Sequence, residues 1–302
     1  MVKLEATVQK INNRIHLIDP LVFDTQGYLA LYFVSSEKPL LFDVGPSSVS
    51  DRVIGAIEGL GFKGSDLQYL FISHVHTDHA GGVRRLSEWA PNAKVVVAQS
   101  GARHLIDPTK TYQSFVSLLQ EYGSRVGDFK GLSQDRLLMA PVELDLGSEQ
   151  ARVIAASGHA HHQICLKVGR HLLAADLMGS QIMLDNHYLP TSAPPSFDYL
   201  KYNEDLDRVL SLDIDSICLA HYGAHPDVTT LITDSIDSVK WLRAQVDPLL
   251  KEGLSPEEAS EAMIRRHLRS EQRIPYRLAY LHARANILGL IGSLQRIQAS
   301  RG

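Results

Sequence analysis

The sequence predicts an α/β sandwich carrying a helical C-terminal extension, and two observations predict it. Through residue 226, short apolar runs bounded by turn residues alternate with segments of helical spacing. From Asp227 onward, apolar residues recur at helical spacing alone. The expected division is a catalytic unit over 1–226 and an extension over 227–302.

In chain order, residues 4–8, 15–18, 29–34 and 40–44 read as strands, punctuated by Asn12-Asn13 and Gln26-Gly27. Residues 47–60 place Val53, Ile54, Ile57 and Leu60 on one helix face. Residues 67–73 form an apolar strand that runs into a histidine-rich segment. Further strands are expected at 94–98, 152–156, 164–168, 172–175 and 216–220. Two stretches do not read as core: 107–135, with one helical segment over 112–122, and 180–200, loop-like and rich in Pro, Ser, Tyr and His. Each is a candidate lid or surface decoration. In the extension, Leu231, Ile232, Val239, Leu242 and Val246 share a helical stripe. Ser255-Pro256-Glu257-Glu258 is a capping box with proline at the first helical position. Pro275 opens a last helix so apolar that it needs a partner surface, either the catalytic unit or a second subunit in a homodimer.

Composition narrows the function classes. Hydrophobic residues at 44% and charged residues at 21% describe an ordinary globular chain, not a disordered one. The net charge of −4 argues against a nucleic-acid partner and leaves a small-molecule substrate. Cys165 and Cys218, the only cysteines, both sit in apolar runs and are expected to be buried and reduced. No run of about 18 apolar residues exists, so no membrane span is expected. The first residues carry no apolar stretch of signal-peptide length, which makes a cytoplasmic location the default expectation.

The chemistry is concentrated in His74-Val75-His76-Thr77-Asp78-His79. Residues two apart in an extended segment point to the same side, so His74 and His76 can grip one ion together. Asp78 and His79 follow as the chain turns toward a helix near Gly81-Gly82, and can address a second ion. His159, Asp176 and His221 stand at the ends of later predicted strands. Neutral imidazole nitrogen and carboxylate oxygen suit zinc and its neighbours.

This pattern, His74-x-His76-x-Asp78-His79 followed by Gly158-His159, Asp176 and His221, resembles the signature of the metallo-β-lactamase superfamily over about residues 1–225. Leu41-Phe42-Asp43-Val44-Gly45 is similar to that family's strand-end Asp-x-Gly, in which the aspartate braces the metal ligands from behind. The resemblance implies a four-layer αββα sandwich with the metals at one edge. It implies His74, His76 and His159 on one metal, Asp78, His79 and His221 on the other, and Asp176 between them. It implies two divalent ions per chain, zinc first, with iron, manganese or cobalt as alternatives. Many members read Gly-His-Thr-Pro-Gly where this chain reads Gly158-His159-Ala160-His161-His162-Gln163, so His161 or His162 is an alternative ligand to His159.

Two metals roughly 3.5–4 Å apart can share a hydroxide and bring the pKa of water toward ~7, with Asp78 as proton carrier. The expected reaction is hydrolysis of an ester-like bond in a lactone, carboxylic ester or thioester, with a phosphotriester side activity. The flavodiiron branch has Glu where this chain has His76, which counts against oxygen reduction. A nuclease or phosphodiesterase is the alternative, suggested by eight arginines against one acid over 263–302. A non-catalytic metal-bound interaction protein is another. Phe23, Tyr28, His187, Tyr188, Tyr222 and His225 are candidate substrate contacts, with Tyr112, Phe115 and Met183 at the rim. Tyr188 or Tyr222 would serve as oxyanion donor. His16, His104, His171, His267 and His282 read as structural or solvated.

Overall fold

A computed structural model describes residues 4–300. One seven-stranded sheet runs in chain order: β1 Thr7–Lys10, β2 Ile15–Asp19, β3 Leu31–Val34, β4 Leu40–Phe42, β5 Tyr69–Phe71, β6 Lys94–Val97 and β7 Leu137–Met139. Its first four strands pair antiparallel and the rest parallel. A six-stranded sheet holds β8 Glu143–Asp145, β9 Gln150–Ala155, β10 Ile164–Val168 and β11 His171–Ala175. A separate hairpin, β12 Gly179–Leu184 with β13 His187–Pro190, interrupts the order before β14 Ser216–Leu219 and β15 Gly223–His225 complete that sheet. The helices are α1 Ser50–Gly59, α2 Thr77–Ala80, α3 Val83–Trp89, α4 Ala102–Ile106, α5 Thr109–Leu119, α6 Tyr199–Leu210, α7 Val228–Lys251, α8 Pro256–His267 and α9 Tyr276–Ala299.

Strand alternation builds the layers. On β3, Leu31 and Phe33 join a core with Val53, Ile57 and Leu86 of α1 and α3. Tyr32 and Val34 turn the other way and meet Leu166, Leu173 and Cys218 of the second sheet. The far face of that sheet, through Ile154, Leu172 and Ile217, packs on Leu206, Val239 and Ile287 of α6, α7 and α9. The result is the αββα sandwich. Of the two partners allowed for α9, the sandwich itself is the one that covers it: Leu278, Leu281, Ile287, Leu290 and Ile291 are buried within the chain. The capping box at Ser255 and the start after Pro275 form as expected. Cys165 and Cys218 are free and buried. Among the described residues, no helix is long and apolar enough to cross a membrane.

Two readings of local structure need correction. The stretch 180–200 is not a plain loop, because β12 and β13 pair across Asp185-Asn186, with Asp185 at φ 50° providing the reversal. The helix expected over 112–122 spans Thr109–Leu119 and stops where Gln120 takes φ 49°; a 3₁₀ segment follows over Gln120–Val126. Strands β7, β8 and β15 are too short to show a period in sequence.

Candidate metal centre

The cluster forms where adjacent strands of the two sheets end, the usual position of sites in sheets with parallel pairs. β4 leads to Asp43, β5 leads to Ser73-His74, β11 delivers Asp176 and β14 leads to His221. Asp43 at φ 57° and Ala175 at φ 48° break the strand geometry at those ends and re-aim the carboxylates inward. His76 caps the short α2, so Asp78 and His79 come off a helical turn after an extended entry. His159 lies in the β9–β10 turn. A Cβ at Gly158 would fall 2.3 Å from the Tyr202 backbone, so only glycine lets that turn sit against α6.

Three donor groups result: His74, His76 and His159; Asp78, His79 and His221; and an overlapping set of His74, His79 and Asp176. In the first, His74 Nε2, His76 Nδ1 and His159 Nε2 stand 3.0, 3.1 and 3.3 Å apart. Nitrogens about 2.0–2.1 Å from a tetrahedral zinc ion are necessarily about 3.3 Å from one another. Asp176 faces both ways, with Oδ2 3.6 Å from His159 Nε2 and Oδ1 3.4 and 3.7 Å from the Nε2 atoms of His79 and His221. His221 Nε2 is also 3.5 Å from Asp78 Oδ2.

The opposite ring edges are anchored. The Nδ1 atoms of His74, His79, His159 and His221 face Ser73 Oγ at 2.9 Å, Asp43 Oδ2 at 2.9 Å, Thr191 O at 2.7 Å and Tyr28 O at 2.7 Å. Each acceptor places the ring proton on Nδ1 and leaves the Nε2 lone pair facing the cluster. Asp43 also accepts from Ser73 N and Ser73 Oγ, both at 2.8 Å. His79 Nε2 and Asp176 Oδ1 are buried without a hydrogen-bond partner. Buried orphans among converging lone pairs are what a cation would satisfy, so the donor set fits divalent metal.

Comparison with known proteins agrees. The family model described as the metallo-beta-lactamase superfamily matches residues 24–221. The chain belongs to the metallo-beta-lactamase superfamily. A metallo-beta-lactamase fold-containing protein of Sulfurisphaera tokodaii is 30% identical over 168 residues, 52% of this chain and 61% of that relative, so the match spans under two thirds of its length. The crystal structure of an archaeal superfamily protein from Sulfolobus tokodaii aligns with TM-score 0.68 at 22% identity, covering 93% of this chain and 99% of that one. A beta-lactamase domain protein from Burkholderia ambifaria aligns with TM-score 0.69 at 17% identity, over 98% and 91%. These two structures establish the shared fold.

In this superfamily member, electrostatics follow from burial among like and opposite charges. Burial first, then the neighbouring His159, holds His76 down to about 3, so it is a neutral donor at any ordinary pH. Burial pushes Asp78 up, but His79, His221 and His76 outweigh it and the net direction is down. Burial opposes charge on His79, yet Asp176, Asp78 and Asp43 draw it above its ordinary value. Three carboxylates gathered round one imidazole are a local demand for positive charge.

A cavity of about 380 Å³ opens over the cluster, lined by His76, Asp78, His159, Asp176 and His221. Tyr28 and Phe115 are on its wall, whereas Tyr112 and Met183, expected at the rim, are not. Phe23, His187, Tyr188, Tyr222 and His225 are not on its wall. Phe23 packs edge-on against Tyr28 and Tyr122. His187 stacks on Trp241 at 4.3 Å, because that face of the hairpin lies on α7. Tyr188 borders a second cavity with Met183. The Tyr222 hydroxyl turns back to Asp19 at 3.3 Å, and His225 Nε2 bonds Tyr222 O at 3.0 Å. Neither Tyr188 nor Tyr222 therefore faces the cluster as an oxyanion donor. His161 and His162 line the cavity but belong to none of the donor groups, and His159 is the one that converges.

Sequence reasoning missed several groups. His282 of α9 reaches the cavity and bonds the Tyr28 hydroxyl through Nε2 at 3.0 Å. His104 and Arg273 are also on the wall. Ser73 was signalled only by its place beside His74; the others come from elements distant in sequence, and no local pattern marks them.

Proposed function

We propose that this protein is a dinuclear metal-dependent hydrolase that cleaves an ester-like bond in a small molecule. The observation that carries the reading is the two-sided placement of Asp176 between His159 on one side and His79 with His221 on the other. We assign His74, His76 and His159 to one cation, Asp78, His79 and His221 to a second, and Asp176 to both, with zinc as the first candidate. Bound there, two divalent cations would supply an acidified water as nucleophile and a Lewis acid for the substrate oxygen. Asp78, at the cavity wall, would take the proton from the attacking water and pass it to the leaving oxygen. Asp43 would hold His79 in the ligating tautomer. The Tyr28 phenol, kept neutral by burial and by the nearby Asp78 and Asp176, would donate to the substrate oxygen, with His282 fixing its hydroxyl.

The basic extension supports a small molecule over a nucleic acid. Arg277 pairs with Glu121, Arg284 with Glu261, and Arg296 donates to Phe197 O, so much of the arginine stripe is engaged within the fold. Arg301 lies outside the described residues. The test is a panel of lactones, carboxylic esters, thioesters and phosphoesters run on protein reconstituted separately with zinc, manganese, cobalt and iron. Turnover of a carboxylic or thioester member is expected. Turnover of phosphodiesters alone would overturn the assignment in favour of a phosphodiesterase, and no turnover by any metal form would favour a metal-bound interaction protein.

A further inference from the structure

The cavity wall has a marked chemical asymmetry. Among the described residues the only acids on the wall are Asp78 and Asp176, both buried in the donor cluster, and much of the rest is apolar, with Phe115, Leu118 and Leu119 from α5 together with Ile182, Ile274 and Ala285. The wall also carries two exposed cations, Lys110 and Arg273, and Arg273 borders the second cavity as well, which Glu271 also lines.

Arg273 is built into place. The segment between α8 and α9 is stapled to β12 by a reciprocal pair of bonds: Met183 N donates to Gln272 Oε1 and Gln272 Nε2 donates to Met183 O, each at 3.0 Å. The adjoining guanidinium gives one Nη1 bond to Gln181 Oε1 at 2.6 Å. Gln181 is itself tied to the metal-ligand segment, through its N to His221 O at 2.9 Å and its Nε2 to Tyr222 O at 3.0 Å. Among the described residues Arg273 makes no ion pair, whereas Arg277 and Arg284 in the following helix both do. A neutral amide holds one corner of its planar fork, and the remaining donors have the geometry that matches a carboxylate.

Resting on the hydrolase reading above, we infer that the substrate is an amphiphilic ester or thioester with an apolar chain and a free carboxylate remote from the scissile bond, recognised by Arg273. The chain would lie along the α5 and Ile274 walls, and the carboxylate would meet the guanidinium that Gln181 presents. The reacting carbonyl would then be at the donor cluster, so the distance from Arg273 to the cluster sets the chain length.

The test compares the half-ester and the diester of one medium-chain dicarboxylic acid, which share the scissile bond and differ in a single charge. Wild-type protein should favour the half-ester by about tenfold in kcat/KM, mainly through KM. The preference should shrink as salt is raised. Arg273→Gln should bring the ratio close to one, and Arg273→Lys should keep part of it. A calorimetric arm uses metal-free Asp78→Asn protein with the same two compounds, so binding is read without turnover. A half-ester that binds tighter than the diester, with the difference lost in Arg273→Gln, supports the inference even where no ester is hydrolysed. Equal binding of the two compounds, or a preference untouched by Arg273→Gln in protein with unchanged thermal stability, overturns it.

Discussion

Replacing Asp43 with asparagine isolates one bond behind the metal ligands. Asparagine keeps the volume, tolerates the φ of 57°, and can still accept from Ser73 N through Oδ1. What changes is Oδ2, which faces His79 Nδ1 at 2.9 Å and Ser73 Oγ at 2.8 Å. An amide NH₂ there meets a ring N–H head-on. Either His79 keeps its tautomer and two buried donors face each other, costing about 1–3 kcal/mol, or it moves its proton to Nε2 and ceases to be a ligand. Both routes would weaken the cation proposed at Asp78, His79 and His221. Loss of such a bracing group typically lowers metal affinity 10–100-fold, about 1.4–2.7 kcal/mol, in line with the hydrogen-bond cost. The group of His74, His76 and His159 keeps its three nitrogens, so its cation should be retained. The assay is a chelator competition with metal content counted after gel filtration: Asp43→Asn should hold one ion firmly and the second weakly. Two ions at wild-type affinity would refute the bracing role.

Other outcomes follow from the same structure. Asp78→Ala should abolish turnover, a loss of 10²-fold or more, while circular dichroism and the first metal site persist; retained activity removes Asp78 from proton transfer. His162 is kept down to about 2 by burial and by His76. Its folded value lies below the unfolded one, so the unfolded chain takes the proton first as pH falls through about 6.5. Stability is therefore lost on acidification, by up to about 2 kcal/mol at pH 5. His162→Gln should flatten denaturation midpoints between pH 7 and 5, and an unchanged acid slope would sink the idea. Leu290→Ala in α9, fully buried against the second sheet's outer core, should cost about 2–5 kcal/mol in urea unfolding; a cost under 1 kcal/mol would make α9 an accessory. Removing the chain after Gly223 exposes Ile154, Leu172 and Ile217 and should give aggregated protein in sedimentation; a soluble, active truncation would contradict that packing.

The strands that build the sandwich were legible because their apolar residues alternate or run unbroken between turn signals. The His74–His79 run was legible because residue spacing alone orients its donors. The β12–β13 hairpin hid behind Pro, Ser, Tyr and His, whose composition imitates a loop, although Ile182 and Leu184 keep the two-residue period. Tyr188, Tyr222 and His187 looked like site residues because they lie close in sequence to Asp176 or His221. Strand alternation and packing on α7 send them elsewhere. His282 and Arg273 were illegible for the opposite reason: only the docking of the C-terminal segment brings them over the cluster.

Two cations sharing Asp176 are the centre of the proposed chemistry, and counting metal tests them most directly. Elemental analysis of protein saturated with zinc and freed of excess should return close to two ions per chain, falling to about one in Asp176→Ala with the loss of turnover. One ion or none at saturation, or two ions undisturbed in Asp176→Ala, would contradict the dinuclear centre.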